Sequence, residues 1–409
     1  MVKKELELYV HIPFCVRKCA YCDFLSGPAA EEEMAAYTDA LLREIMSRKE
    51  AYRDYRVSTI FLGGGTPSVL TGEDTARIFH ALQKAFHIGR DAEITMEVNP
   101  GTVTEEKAAL WKKSGINRLS IGLQSADDRE LKMLGRIHTY QEFLDTWETV
   151  RKAGFKNVNM DLISAIPGQT EQSWERTLRT AAELGPEHLS AYSLIIEEGT
   201  PFYDHYGESG NVRDSMEGKE WMSLPDEDTE REIYRMTERI LKEYGYHRYE
   251  ISNYAKQGYE CRHNLGYWER KEYLGLGLGA SSLVREQRFH NTADIGKYMS
   301  IFGGNELAAS EISSEEPGKT DPAGKAAEAI ETMTEKDQME EFMFLGLRKT
   351  DGISCRKFRE NFGKPVEEVY GRQIRRFLSL ELIAQEGDRL FLTERGTDVS
   401  NVVFAEFIL

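Results

Sequence analysis

Long apolar runs are missing from this chain. No stretch of its 409 residues approaches the roughly 20 consecutive apolar positions that a membrane-crossing helix needs. The N-terminus reads as charge followed directly by a strand rather than as a secretory signal, so a cytoplasmic chain is expected. Basic charge is short as well: 52 Lys and Arg against 69 Asp and Glu leave a formal net charge of -17. A nucleic-acid partner is not expected, because phosphate binding depends on clustered Lys and Arg. Cysteine is scarce, with five in the whole chain. Three of them, Cys15, Cys19 and Cys22, fall within eight positions, too close and too few for a disulfide framework. Reduced thiols that bind metal fit better.

What is present is a repeating pattern. Six segments crowded with Val, Ile, Leu and Tyr read as strands: Leu6 to Pro13, Ser58 to Gly65, Glu93 to Pro100, Arg118 to Ser125, Asn157 to Ile166 and His188 to Ile196. Polar stretches of helical period lie between them. Thr139 to Glu142 has the form of a capping box, and Gly115, Gly154, Gly185 and Gly245 stand where left-handed helix caps belong. Strand, helix and glycine recur as a unit. Alternation of this kind predicts an α/β chain with a parallel, barrel-like or open sheet and a functional face at the C-terminal strand ends.

With 40% hydrophobic residues, a second, smaller domain is affordable. Residues 303–325 are rich in Ala, Ser, Glu, Gly and Pro, so a flexible insert or linker is expected across 303–333. Helical stretches follow at Thr334 to Lys349, Ser354 to Asn361 and Glu367 to Ser379, then a hairpin from Leu382 to Thr393 turning at Glu386, Gly387 and Asp388. That pattern resembles a small, mostly α winged-helix module. Its charge is nearly balanced, so docking or lid duty is the better expectation than DNA binding.

The chemistry concentrates in Tyr9 to Phe24, YVHIPFCVRKCAYCDF. Three thiolates at these spacings can wrap one face of a cuboidal iron-sulfur cluster and leave the fourth iron without a protein ligand. Structural zinc is the alternative, but it usually takes four ligands in paired short spacings, and no second pair lies nearby.

The C-x3-C-x2-C signature, with Tyr21 just before its last cysteine, resembles the radical S-adenosylmethionine (SAM) superfamily. That resemblance implies a partial (β/α)6 TIM-like barrel, a [4Fe-4S] cluster on Cys15, Cys19 and Cys22, and SAM chelated by the open iron. Gly63 to Pro67 resembles the family's GGTP element, which implies SAM contacts by Gly64, Gly65 and Thr66. Tyr9, Glu97 in EVNP, Gln124 in GLQS, Arg136 in LGRIH and Asp161 in MDLI match further positions lining the family's SAM pocket. Taken singly, Arg136 also reads as a helix-surface charge and Asp161 as a strand-end cap.

Within the superfamily the chain is similar, from Tyr9 through its C-terminal module, to the branch holding oxygen-independent coproporphyrinogen III dehydrogenases and the heme chaperones related to them. The dehydrogenases carry a fourth cysteine two positions after the third and a long N-terminal extension. Here Phe24 stands at that position, and 14 residues precede Cys15. Both departures favour the chaperones. Glu250 to Trp268 ends in HNxxYW, where the resemblance implies heme contact, with His263 as an imidazole ligand and Tyr267 and Trp268 stacking on the porphyrin. The plain alternative is that His263 hydrogen-bonds within the core. The implied partners are heme and apo-hemoprotein clients, with membranes met only weakly and through clients. The expected division is a core at 1–255, a connecting segment at 256–302, the insert at 303–333 and the C-terminal module at 334–409.

Overall fold

The computed structural model describes residues 3–207, 222–304 and 322–409. The expected strands form: β1 (Lys4–Ile12), β2 (Tyr55–Gly64), β3 (Ile88–Val98), β4 (Arg118–Gln124), β5 (Val158–Ser164) and β6 (His188–Ser193). Each pairs in parallel with the next, as strand and helix alternation demands. Along β1 the period of two is explicit. Leu6, Leu8, Val10 and Ile12 are fully buried on the side the helices cover, which leaves Glu7, Tyr9 and His11 on the opposite face.

The local signals act as read. Thr139 Oγ1 accepts from the Glu142 amide at 3.3 Å, and Glu142 accepts from the Thr139 amide at 2.7 Å, closing the capping box. Gly115, Gly154, Gly185 and Gly245 all take positive φ, the region where a Cβ is costly.

The sheet runs well past six strands. The short β7 (His247–Arg248) and β8 (Asn253–Ala255) extend it beyond β6. Across β1 it continues through β9 (Tyr273–Leu276), which is parallel to β1, then antiparallel β10 (Ser281–Val284), β11 (Gln287–Asn291) and β12 (Ala327–Thr332). The order is β12-β11-β10-β9-β1-β2-β3-β4-β5-β6-β8-β7, an open array. Residues 305–321 of the expected insert lie outside the described residues. Its end departs from expectation, because β12 pairs with β11, and Ala323 and Ala326 are buried in the main core. Small residues make that segment read as linker, yet small residues are what a tight approach to the sheet edge admits.

The C-terminal domain has helices Glu335–Gly346, Cys355–Phe362 and Val366–Ser379 and a small sheet in which β15 (Arg389–Leu392) lies between β13 (Ile353–Ser354) and β14 (Ile383–Glu386). Met343, Phe358, Tyr370, Phe377 and Phe407 form its own core. It docks on the sheet extension through Glu341, which meets Arg270 at 2.7 Å and Arg288 at 2.6 Å. Among the described residues no helix is long and apolar enough to cross a membrane.

Candidate functional site

A cavity of about 400 Å³ opens at the C-terminal ends of the parallel strands. The loop after β1 brings Cys15, Cys19 and Cys22 to its wall, with Tyr21 beside them. Backbone bonds pin that loop on three sides. The Cys15 amide donates to the Gly27 carbonyl at 3.0 Å, the Ala20 amide to Leu134 at 3.1 Å, and the Phe202 amide to Ala20 at 3.0 Å. Burial pushes the Cys15 and Cys22 thiols up, so a cation is needed to hold them as thiolates. Arg136 supplies one nearby charge, with Nη1 at 3.5 Å from Cys19 Sγ. Among the described residues no three His, Cys, Asp or Glu side chains are grouped to hold a single metal ion. Three thiols spread around one cavity suit a cuboidal cluster with a sulfur at each of three corners better than one tetrahedral zinc.

The strand ends supply the rest of the wall: Gly64 at the end of β2 with Gly65 and Thr66 after it, Glu97 from β3, Gln124 from β4 and Asp161 from β5, with Arg136 between. Gln124 takes φ +67 where β4 ends, which turns the chain away from the sheet. Thr66 is tied to Arg136 through Asn99, whose Nδ2 donates to Thr66 Oγ1 and whose Oδ1 accepts from Arg136 Nη2, both at 2.7 Å. Arg136 Nε is buried with no partner among the described residues. Asn99 stands inside the EVNP motif, but nothing in the sequence separates it from an ordinary strand-end turn residue.

The glycines also serve the packing of the protein itself. A Cβ on Gly65 would lie 2.5 Å from the Phe14 carbonyl oxygen, and one on Gly64 2.4 Å from the His11 ring. The missing side chains thus make room for the end of β1 and the start of the cysteine loop. The Gly64 amide is also committed, donating to Glu97 Oε2 at 3.1 Å. Burial and the nearby Asp161 charge push the Glu97 carboxyl up to about 8. Burial also raises Asp161, while hydrogen bonds from Ser120 and Asn159 pull it back.

Two expected residues lie elsewhere. Tyr9 bonds His11 Nδ1 through its hydroxyl at 3.0 Å and lines a second cavity. His263 is buried: its Nδ1 lies 2.7 Å from Thr59 Oγ1, its Nε2 lies 3.1 Å from the Tyr267 hydroxyl, and its ring stacks on Phe61. Both ring nitrogens are engaged, so in this arrangement His263 packs as a core histidine. Glu93 explains its depth, since the carboxylate accepts from the backbone amides of Arg262 and His263 and draws the helix Arg262–Trp268 against the barrel strands.

An open parallel barrel with three cysteines at its strand ends defines a radical SAM protein. The family model for the radical SAM superfamily matches residues 9–181, and that for the HemN C-terminal domain matches residues 333–399. The heme chaperone HemW of Lactococcus lactis subsp. lactis (strain IL1403) is 33% identical over 409 residues, 100% of this chain and 99% of that protein. The heme chaperone HemW of Bacillus subtilis (strain 168) is 32% identical, covering 98% of each chain. In fold, the chain matches coproporphyrinogen III oxidase (HemN) from Escherichia coli with a TM-score of 0.80 at 21% identity, over 99% of this chain and 90% of that one. The chain belongs to the heme chaperone HemW family of the radical SAM superfamily.

Proposed function

We propose that this chain is a heme chaperone that carries a [4Fe-4S] cluster and SAM, binds heme and passes it to apo-hemoproteins. Cys15, Cys19 and Cys22 hold the cluster. Gly64, Gly65 and Thr66 form the edge against which SAM lies, with Tyr21, Glu97, Gln124, Arg136 and Asp161 around it. The carboxyl groups of Glu97 and Asp161 suit hydroxyl and ammonium donors on SAM. Arg136 keeps Cys19 beside a positive charge and holds Thr66 through Asn99. When bound together, the cluster can supply an electron and SAM a cleavable sulfonium bond. Residues 1–255 carry this chemistry, 256–302 connect, and 334–409 serve as a docking or lid domain.

The observation that carries the reading is the three-cysteine cavity in a chain similar along its whole length to heme chaperones. Phe24, where the dehydrogenases have a fourth cysteine, supports transfer over porphyrin decarboxylation. Two assays on one anaerobically reconstituted sample test it. Heme should bind with a shifted Soret band and pass to a heme-free globin, while coproporphyrinogen III with SAM and reductant should stay unconverted. Formation of protoporphyrinogen, or no heme binding at micromolar heme, would overturn it.

A further inference from the structure

The inner face of the parallel sheet carries polar side chains on every strand. Register pairing carries Glu7 of β1 across to Thr59, Thr59 to Glu93, Thr95 to Arg118, Ser120 to Asn159 and Asn159 to His188, so these side chains share one face. Parallel barrels ordinarily fill that space with layers of branched apolar residues. Here four carboxyl groups stand along it, Glu7, Glu93, Glu97 and Asp161, and Arg118 is the one buried arginine on the strands among the described residues. Arg118 lies one inner-face step beneath Ser120, which pairs in register with Glu97 and donates to Asp161 Oδ2 at 3.0 Å. The guanidinium is thus set directly below the two carboxyls of the cysteine cavity.

Arg118 is 2% exposed, and its Nε has no hydrogen-bond partner among the described residues. Cys261, Glu93, Tyr249 and Asp161 lie within reach of its charge without accepting a hydrogen bond from it. A buried guanidinium left out of an ion pair is costly, so its place calls for a reason beyond packing. It is also unquenched, and its field acts on several groups at once. Burial and then this charge keep the rings of His188 and His263 neutral. At the cavity the same charge favours ionisation. Burial and the Asp161 charge favour the protonated Glu97 carboxyl, while the Gly64 amide and Arg118 favour the carboxylate. Burial likewise raises Asp161, and Arg118 adds to the hydrogen bonds from Ser120 and Asn159 that oppose it.

We propose that Arg118 is a positioning residue for SAM, a buried counter-charge beneath the pocket that keeps Glu97 and Asp161 ionised to receive the ligand's ammonium and sulfonium charges. This rests on the SAM reading above and goes beyond it, because Arg118 lines no part of the cavity and acts through the two carboxylates. Two carboxyl groups sharing a site hold a proton between them unless a cation stands by. With Arg118 below, SAM meets two anions; without it, SAM must first displace a proton. Besides Arg118, the titratable groups facing Glu97 are Asp161 from β5 and the Tyr9 hydroxyl from β1. Those facing Arg118 are Glu93, Asp161, Cys261, Tyr249, His188 and His263.

The test measures SAM affinity against pH by equilibrium dialysis, on the anaerobically reconstituted full chain without reductant, so that no SAM is cleaved. Wild-type affinity should rise with pH as Glu97 ionises at about 8. Arg118→Met should move that rise upward by about one pH unit, with iron per chain and circular dichroism unchanged. Arg118→Lys, which keeps the charge, should move it less. The amino group of SAM titrates equally in every sample and drops out of the comparison. Should Arg118→Met not fold, Arg118→Gln removes the charge while keeping a polar group in place, and the same shift is expected of it. Superimposable profiles for the wild type and the uncharged variant, or an equal shift in Arg118→Lys, would overturn the assignment and leave the SAM reading standing. A wild type that binds no SAM would overturn both.

Discussion

The carboxamide of Asn159 donates to Asp161 Oδ1 at 2.7 Å, and the facing of that amide is set one step deeper in the barrel. His188 Nδ1 lies 2.6 Å from Asn159 Oδ1, and His188 Nε2 lies 2.7 Å from the Tyr249 hydroxyl. Because Asn159 Oδ1 can only accept, Nδ1 carries the proton and Nε2 accepts from Tyr249. Burial holds the ring neutral by driving its pKa well down. Every donor in the chain from Tyr249 through His188 and Asn159 thus points toward Asp161.

This column predicts the behaviour of His188→Ala. It leaves buried polar groups unpaired and should cost about 3 kcal/mol in denaturant titrations. With His188 gone, Asn159 can turn its carbonyl oxygen toward Asp161, so SAM should bind more weakly. Wild-type stability and SAM affinity in this variant would count against the column.

Replacing Cys15, Cys19 or Cys22 singly with Ser should abolish the brown charge-transfer absorbance and the bound iron and sulfide after anaerobic reconstitution. Cys261→Ser and Cys355→Ser should keep all three. Cys261 is fully buried beside Glu93, and Cys355 opens a helix in the C-terminal domain.

Gly65→Ala forces a Cβ against the Phe14 carbonyl, where the Thr66 amide also bonds at 2.6 Å. Overpacking there should cost about 2 kcal/mol and lower cluster occupancy, read as iron per chain. Gly101→Ala is the control: no atom lies within 4 Å of its Cβ, and its φ of +81 predicts a cost of about 1 kcal/mol with full occupancy.

Glu97 sets a pH dependence. Its carboxyl titrates near 4.5 when unfolded and near 8 when folded, so between those values the unfolded chain has released a proton that the folded one retains. The ligand-free protein therefore loses stability from this group as pH rises through that window. Glu97→Gln removes the contribution, and its melting temperature should fall less than the wild type's between about pH 5 and about pH 8. Parallel curves would contradict it.

Local signals made most of the barrel legible. The strands of β1 to β6 carry dense apolar stretches, and Thr139 and Gly115 mark helix ends by chemistry that acts within a few residues. The wall of the cysteine cavity was legible through resemblance, since Glu97, Gln124, Arg136 and Asp161 each lie at or near a strand end that only the fold brings together. Contacts of long sequence separation were not legible. Asn99 acts by bridging Thr66 to Arg136, and β12 owes its place to pairing with a strand about 40 residues upstream. His263 sits in a motif that suggests iron, but its depth follows from Glu93, 170 residues away, holding the start of its helix.

Electron paramagnetic resonance of the reduced, reconstituted protein, recorded with and without SAM, addresses the three-cysteine cavity most directly. A cluster held at three corners with one iron open should give a signal that changes when SAM is added. Identical spectra with and without SAM, or no cluster signal at all, would contradict the account.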